Sequence, residues 1–175
     1  MNNSFDVIVI GAGAAGLMCA IESAKRNKKV LVLDHAKKIG EKIRISGGGR
    51  CNFTNLNTQP SKFISENPKF MISALNQYDQ YDFIKLVESY KIKFHEKKLG
   101  QLFCDENSQQ IISLLLSECE KYQVRINKEF IVEDIYHSNE LYKVKSVDNL
   151  LSCQSLVIAT GGLSIPKIGA SKFGY

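Results

Sequence analysis

Gly11, Gly13 and Gly16 form a G-x-G-x-x-G spacing, with Ala12, Ala14 and Ala15 between them, and this spacing suits a dinucleotide. Gly11 permits a tight turn, Gly13 lets backbone N–H groups approach a pyrophosphate without a Cβ in the way, and Gly16 lets a helix pack closely on a strand. The N-terminus of that helix turns unpaired N–H donors and the positive end of its dipole toward phosphate. Asp34 stands eighteen positions after Gly16, where a carboxylate accepts from both hydroxyls of an adenosine ribose and repels a 2′-phosphate. His35 belongs to the same end of the site by position alone; nothing in the sequence pairs with it, and it reads as a surface residue.

A second constellation is Ser46-Gly47-Gly48-Gly49-Arg50-Cys51-Asn52. Three consecutive glycines cost backbone entropy that a plain connector has little reason to spend. They suit a backbone that hugs a flat or anionic ligand and presents successive N–H groups to it. Lys42, Arg44 and Arg50 would bring positive charge to a pyrophosphate, and so long an insertion after the ribose acid suggests a ligand with a second half to hold. Thr160, Gly161 and Gly162 form a third loop, after a predicted strand, and ligands of open α/β sheets bind beyond carboxyl strand ends. Cys51 beside Arg50 invites a redox reading, but no C-x-x-C exists, and a packed structural thiol is the simpler one. His95 and His137 fall in predicted strands and read as surface or satisfied residues; Tyr78, Tyr81 and Phe83 read as part of a helical lobe.

The elements that must hold these residues are legible from periodicity. Phe5 to Ile10 (FDVIVI) and Lys29 to Asp34 (KVLVLD) have the continuous apolar character of strands buried on both faces. Between them Leu17, Ala20, Ile21 and Ala24 recur on one helical face, which completes a βαβ unit. Two helices are predicted within Lys69 to Tyr90, a hairpin over Ile92 to Cys104 turning near Leu99-Gly100, and a helix from an N-capping Ser108 to Tyr122. A short strand at Val124 to Ile126 follows. Phe130 to His137, Leu141 to Val147 and Leu150 to Cys153 read as a β-meander, and Leu156 to Thr160 as a separate last strand. The expected fold class is α/β: a Rossmann-like domain with a parallel sheet, a β-meander crossover and a small helical lobe at about 60–122.

Composition excludes several classes. With 175 residues, 44% hydrophobic and 23% charged, the chain is ordinary globular protein, neither collagen-like nor disordered. Five cysteines without paired spacing read as reduced thiols, which with the lack of an apolar run of roughly 18 residues points to the cytoplasm. Met1 to Ile21 is apolar but lacks the positive start of a signal peptide, since its only charge is Asp6. The net charge of +5 is uneven: Lys25 to Arg50 holds nine basic residues against Asp34 and Glu41, and the remainder is slightly acidic. Such an excess suits a phosphorylated small ligand, a nucleic-acid backbone or a solvated surface.

At these motifs the chain resembles flavoproteins of the two-dinucleotide-binding superfamily, and more narrowly the BaiN/aminoacetone-oxidase-like family of NAD(P)/FAD-dependent oxidoreductases. The residues that carry the resemblance are Val7 to Ala20 (VIVIGAGAAGLMCA), Lys42 to Asn55 (KIRISGGGRCNFTN) and Leu156 to Tyr175 (LVIATGGLSIPKIGASKFGY). The resemblance implies FAD as cofactor, with NADH or NADPH as candidate electron donor. It assigns Gly11, Gly13 and Gly16 to the FAD pyrophosphate, Asp34 to the adenosine ribose and the Ser46 to Asn52 loop to the flavin half. It further assigns the backbone of Val132 to adenine and Thr160-Gly161 to closing over the cofactor. It also implies that residues 1–175 are an incomplete FAD-binding domain, lacking a substrate domain and a C-terminal strand, with an unpaired sheet edge open to self-association. Cys104 after Phe103, where the family usually has proline, and Asp34 in place of the commoner Glu are departures.

The reading that follows is the FAD-binding part of an oxidoreductase that moves hydride between a nicotinamide or small organic substrate and FAD. A non-catalytic nucleotide-binding module is the alternative. The expected partner is a small molecule, with neither nucleic acid nor a membrane; a nucleic-acid role for the Lys25 to Arg50 patch is a third possibility, tested by salt dependence.

Overall fold

The computed structural model describes residues 3–162. Two compact units are present: Met1–Lys42 with Leu115–Tyr175, and Ile43–Leu114.

The first unit is built on β1 (Ser4–Ile10), α1 (Ala14–Lys25) and β2 (Val30–Leu33). β1 and β2 pair in parallel from Val7↔Val30 to Ile10↔Leu33, as a βαβ unit requires. α1 buries Gly16, Leu17, Ala20, Ile21 and Ala24, the stripe the sequence spacing predicts. Its outer face pairs Glu22 with Lys25 and Arg26. Asn27, at φ +58, ends the helix, and the Asp6 carboxylate accepts the Lys29 N–H at 2.6 Å, fixing where β2 starts beside β1. Ile8, Val9, Val32 and Leu33 have no measurable exposure. Each such side chain contributes about 1.5–3 kcal/mol by leaving water.

The sheet continues with β6 (Arg125–Asn127), β7 (Asp134–Ser138), β8 (Leu141–Lys145) and β9 (Leu150–Ile158), in the spatial order β6-β2-β1-β9-β8-β7. β6, β2, β1 and β9 run parallel, whereas β8 and β7 are antiparallel additions. Together they bear out an α/β Rossmann-like fold with a meander.

Two sequence expectations need correction here. The last meander strand and the last buried strand are one element, β9. Its Ser152 and Cys153 pair with Lys143 and Tyr142 of β8 on one side and with Ser4 and Phe5 of β1 on the other. The polar pair Gln154-Ser155, which looked like a break, leaves the backbone extended because β1 still holds Ser155 opposite Val7. The meander also begins later than expected. Phe130 donates its N–H to the Asp34 carbonyl and Glu129 to that of Ala36, so this stretch is tied to the end of β2 and β7 starts only at Asp134.

The second unit contains a three-stranded antiparallel sheet, β3 (Asn52–Asn55), β5 (Gln101–Cys104) and β4 (Phe94–Glu96), in that order. β3 and the short helix α2 (Glu41–Ile45) lie in a stretch to which sequence periodicity assigns no element. Both are too brief to show a period. α3 (Phe70–Gln77) and α4 (Gln80–Ser89) match the two predicted helices, and a reciprocal capping box of Asp79 and Asp82 starts α4. The hairpin turns at Leu99 and Gly100, both at positive φ, as expected. α5 (Gln109–Lys121), whose residues from Leu115 onward belong to the first unit, buries Ile111, Ile112, Leu115 and Cys119. Ser108 precedes it, but its hydroxyl donates to the Arg44 carbonyl, and the Asn107 carboxamide accepts the Gln109 N–H instead.

Candidate functional site

In the first unit the glycine turn is clamped between strand ends. Gly11, at φ +110, donates to the Leu33 carbonyl at 2.7 Å, and Ala159 donates to the Ile10 carbonyl at 2.8 Å. A Cβ on Gly11 would overlap the Ala159 carbonyl oxygen, and one on Gly16 would overlap that of Gly11. These two glycines are therefore required by packing. Gly13 is different: a Cβ there would meet nothing within 4 Å. Gly13 is the N-cap of α1 with no side chain capping it, and Ala14 and Ala15 are exposed beside it. First-turn N–H groups of a helix lack intrahelical partners, so this open, uncapped end has donors that an anion could take.

Asp34 is mostly buried, with 13% of its side chain exposed. One carboxylate oxygen accepts the Ala12 N–H at 2.6 Å and the other the Ala36 N–H at 2.8 Å. Each oxygen retains a further lone-pair direction for a ribose hydroxyl. Ala12 itself is fully buried, and its carbonyl accepts from Gly40. His35 is exposed, with Nδ1 3.7 Å from Asp34. Val132 is half-buried against the core that contains Ile10 and Leu33. Lys42 does not stand free for a phosphate: its Nζ donates to the Gly162 carbonyl at 2.6 Å. Gly161, at φ +75, and Thr160 complete that loop, and the motif residues from 163 to 175 lie outside the described residues.

In the second unit Gly47, Gly48 and Gly49 have φ of +59, +68 and +88, and Cys51 follows at +53. The loop is thus a left-handed turn rather than an open row of donors. Cys51 N–H closes it onto the Ser46 carbonyl at 3.0 Å, and the Ser46 hydroxyl donates to Ile43. A Cβ on Gly47 would lie 2.6 Å from the Phe103 ring, whereas Gly48 faces open space. Gly49 and Arg50 offer their carbonyls to the N–H groups of Ser108 and Cys104. The Arg50 side chain is exposed, as is Asn52 at the start of β3. Arg44 is engaged with Gln109, while its buried Nε has no partner.

Cys51 is 5% exposed, and burial pushes its thiol up despite a countering hydrogen bond with Ser46. That favours the packed thiol over the redox one. Sequence reasoning passed over a contact in the same unit: His95 Nδ1 lies 2.7 Å from Asp105 Oδ1, with the imidazole stacked on Phe103. The hairpin expected over Ile92 to Cys104 was the available signal, and its observed register sets His95 opposite Phe103. Among the described residues no group of side chains is arranged to hold a metal ion, and no helix is long and apolar enough to cross a membrane.

The fold and the glycine cradle define an FAD-binding Rossmann domain of the flavoprotein oxidoreductase class. The chain belongs to the HI0933-like family, whose Rossmann domain matches residues 5–175. It is 49% identical over its whole length to a ribosomal RNA dihydrouridine synthase of Haemophilus influenzae, covering 45% of that protein. It is 48% identical over 98% of its length to a protein of the same name from Escherichia coli, covering 43% of it. The chain therefore spans less than half the length of these relatives. In fold it is similar to the 3-ketosteroid-Δ4-(5α)-dehydrogenase of Rhodococcus jostii RHA1, with a TM-score of 0.64 over 91% of this chain and 46% of that one, at 16% identity.

Proposed function

We propose that the chain is the FAD-binding part of a reductase that converts a uracil of ribosomal RNA to dihydrouracil, with NADH or NADPH as electron donor. The observation that carries this reading is the near-50% identity, across essentially the whole chain, to two proteins named for that product. On this reading RNA is the substrate where the sequence alone pointed to a small molecule, and the cytoplasm is the working compartment; what supports it is the name shared by the two relatives.

The cradle in the first unit fits the ADP half of FAD: the uncapped end of α1 at Gly13 for the pyrophosphate, Asp34 for the ribose and the backbone near Val132 for adenine. The Ser46 to Asn52 turn is the proposed holder of the flavin half, and Thr160-Gly161 the segment that closes on the cofactor. Bound flavin supplies hydride chemistry that no side chain offers. The chain contributes binding, orientation and exclusion of water.

The test is direct. The purified protein should release FAD, identified by mass, and should form dihydrouridine in ribosomal RNA when given NADH or NADPH. A flavin-loaded protein that leaves ribosomal RNA unmodified with either donor would sink the RNA reading and leave the FAD reading standing.

A further inference from the structure

We infer that His95 donates the proton in this reduction, an inference that rests on the RNA-uracil reading above. Reducing uracil to dihydrouracil adds two electrons and two hydrogens across C5=C6. Bound flavin, with the nicotinamide as the source of its electrons, would supply the hydride that C6 gains. The ring also gains a proton at C5. That proton needs a donor held near the flavin yet open to a base, and the second unit holds one.

His95 and Asp105 meet because of the β4–β5 register. His95 pairs with Phe103, and Asp105, just past β5, donates its N–H to the Lys93 carbonyl at 3.0 Å. The imidazole Nδ1 then lies 2.7 Å from Asp105 Oδ1, with 43% and 42% of the two side chains exposed. With Nδ1 donating to the carboxylate, Nε2 is the nitrogen left to exchange a proton, and the carboxylate holds the ring in one orientation. Asp105 is thus a positioning residue.

The pair is also next to the proposed flavin loop. The imidazole lies over the Phe103 ring, with centroids 6.4 Å apart and planes 20° from parallel. A Cβ on Gly47 would lie 2.6 Å from Cε1 of the same phenyl ring, so His95 and the left-handed turn both neighbour Phe103. Lys97 Nζ stands 5.2 Å from the centre of that ring, a cation suited to an RNA phosphate. Cys51 and Cys104 flank the region but are 5% and 0% exposed, out of reach of a base. In the step itself the Nε2–H bond breaks as the C5–H bond forms, and solvent returns the proton to the ring.

The experiment compares His95→Gln and Asp105→Asn with the unmodified flavin-loaded protein. His95→Gln should slow dihydrouridine formation by about 100-fold, the range of a lost general acid. Flavin content, reduction of the flavin by nicotinamide and KM for RNA should stay unchanged. Asp105→Asn should slow the reaction by a smaller factor. In D2O the unmodified protein should place deuterium on one face of C5, and His95→Gln should lose that preference. Independently of turnover, proton–nitrogen spectra of the chain should show a hydrogen-bonded His95 Nδ1 proton that disappears in Asp105→Asn. A His95→Gln protein with unchanged rate and facial selectivity overturns the proton-donor role while the RNA reading survives. An unmodified protein that forms no dihydrouridine overturns both.

Discussion

The carboxylate of Asp34 accepts the backbone N–H of Ala12 at 2.6 Å, so the residue marked for a ribose also holds the glycine turn in shape. A single side chain links the end of β2 to the loop that follows β1. If Asp34 also holds the ribose, as proposed, binding and folding are coupled through it.

Asp34→Ala should therefore be felt before any cofactor is added. It strands the N–H of a fully buried Ala12, at a cost of about 1–3 kcal/mol. Chemical denaturation of the cofactor-free protein should report that loss, and titration with FAD should report an affinity at least about tenfold lower, as expected when charge-assisted hydrogen bonds go. Unchanged stability would mean that the Ala12 contact does not hold the turn; unchanged FAD affinity would remove Asp34 from the ribose site.

Gly13 and Gly16 should separate binding from packing. Gly16→Ala forces a Cβ against the Gly11 carbonyl and should destabilise by about 3 kcal/mol, the upper end of ordinary overpacking. Gly13→Ala places its Cβ in open space at an ordinary φ of −85° and should leave denaturation midpoints nearly unmoved. Its FAD affinity should nonetheless drop, because the methyl group occupies the approach to the α1 N–H groups. A Gly13→Ala protein that binds FAD normally would refute the cradle.

Alkaline pH should weaken the fold through two thiols. Burial pushes Cys104 and Cys119 up to about 12, with the nearby charges of Cys51 and Asp105 adding at Cys104 and that of Glu118 at Cys119. An unfolded chain releases these protons near the ordinary value of 9.0, whereas the native state keeps them. The native state thus binds more protons between the two values, and stability must fall as pH rises through that window. The contribution is complete below pH 9 and gone above 12. Denaturation midpoints measured at rising pH should decline, and a Cys104→Ala/Cys119→Ala protein should decline less steeply. An identical slope in both would show that other groups set the alkaline limit.

The signals for the first βαβ unit are local. Five apolar residues around Asp6, three glycines at the right spacing, one helical stripe and a second apolar run define β1, the turn, α1 and β2, because each signal lies within a few residues of the atoms it positions. The placement of Asp34 at the end of β2 follows from the same short reach. So does the hairpin turn near Leu99-Gly100, which the structure holds at positive φ.

Contacts between residues far apart in the chain were decided by the tertiary structure. Lys42, which reads in the sequence as a free cation for phosphate, is bound to a carbonyl 120 positions away. β9 is one strand because β1 and β8 each hold part of it, although its own residues suggest two. The three glycines after Ser46 promise a row of donors, and the phenyl ring of Phe103 beneath Gly47 accompanies a left-handed turn instead. His95 and Asp105 look unrelated until the hairpin register sets them 2.7 Å apart. Hydrophobic periodicity records which face of an element is buried, but a hydrogen bond between distant segments leaves no period, so the sequence names the participants and only the folded chain pairs them.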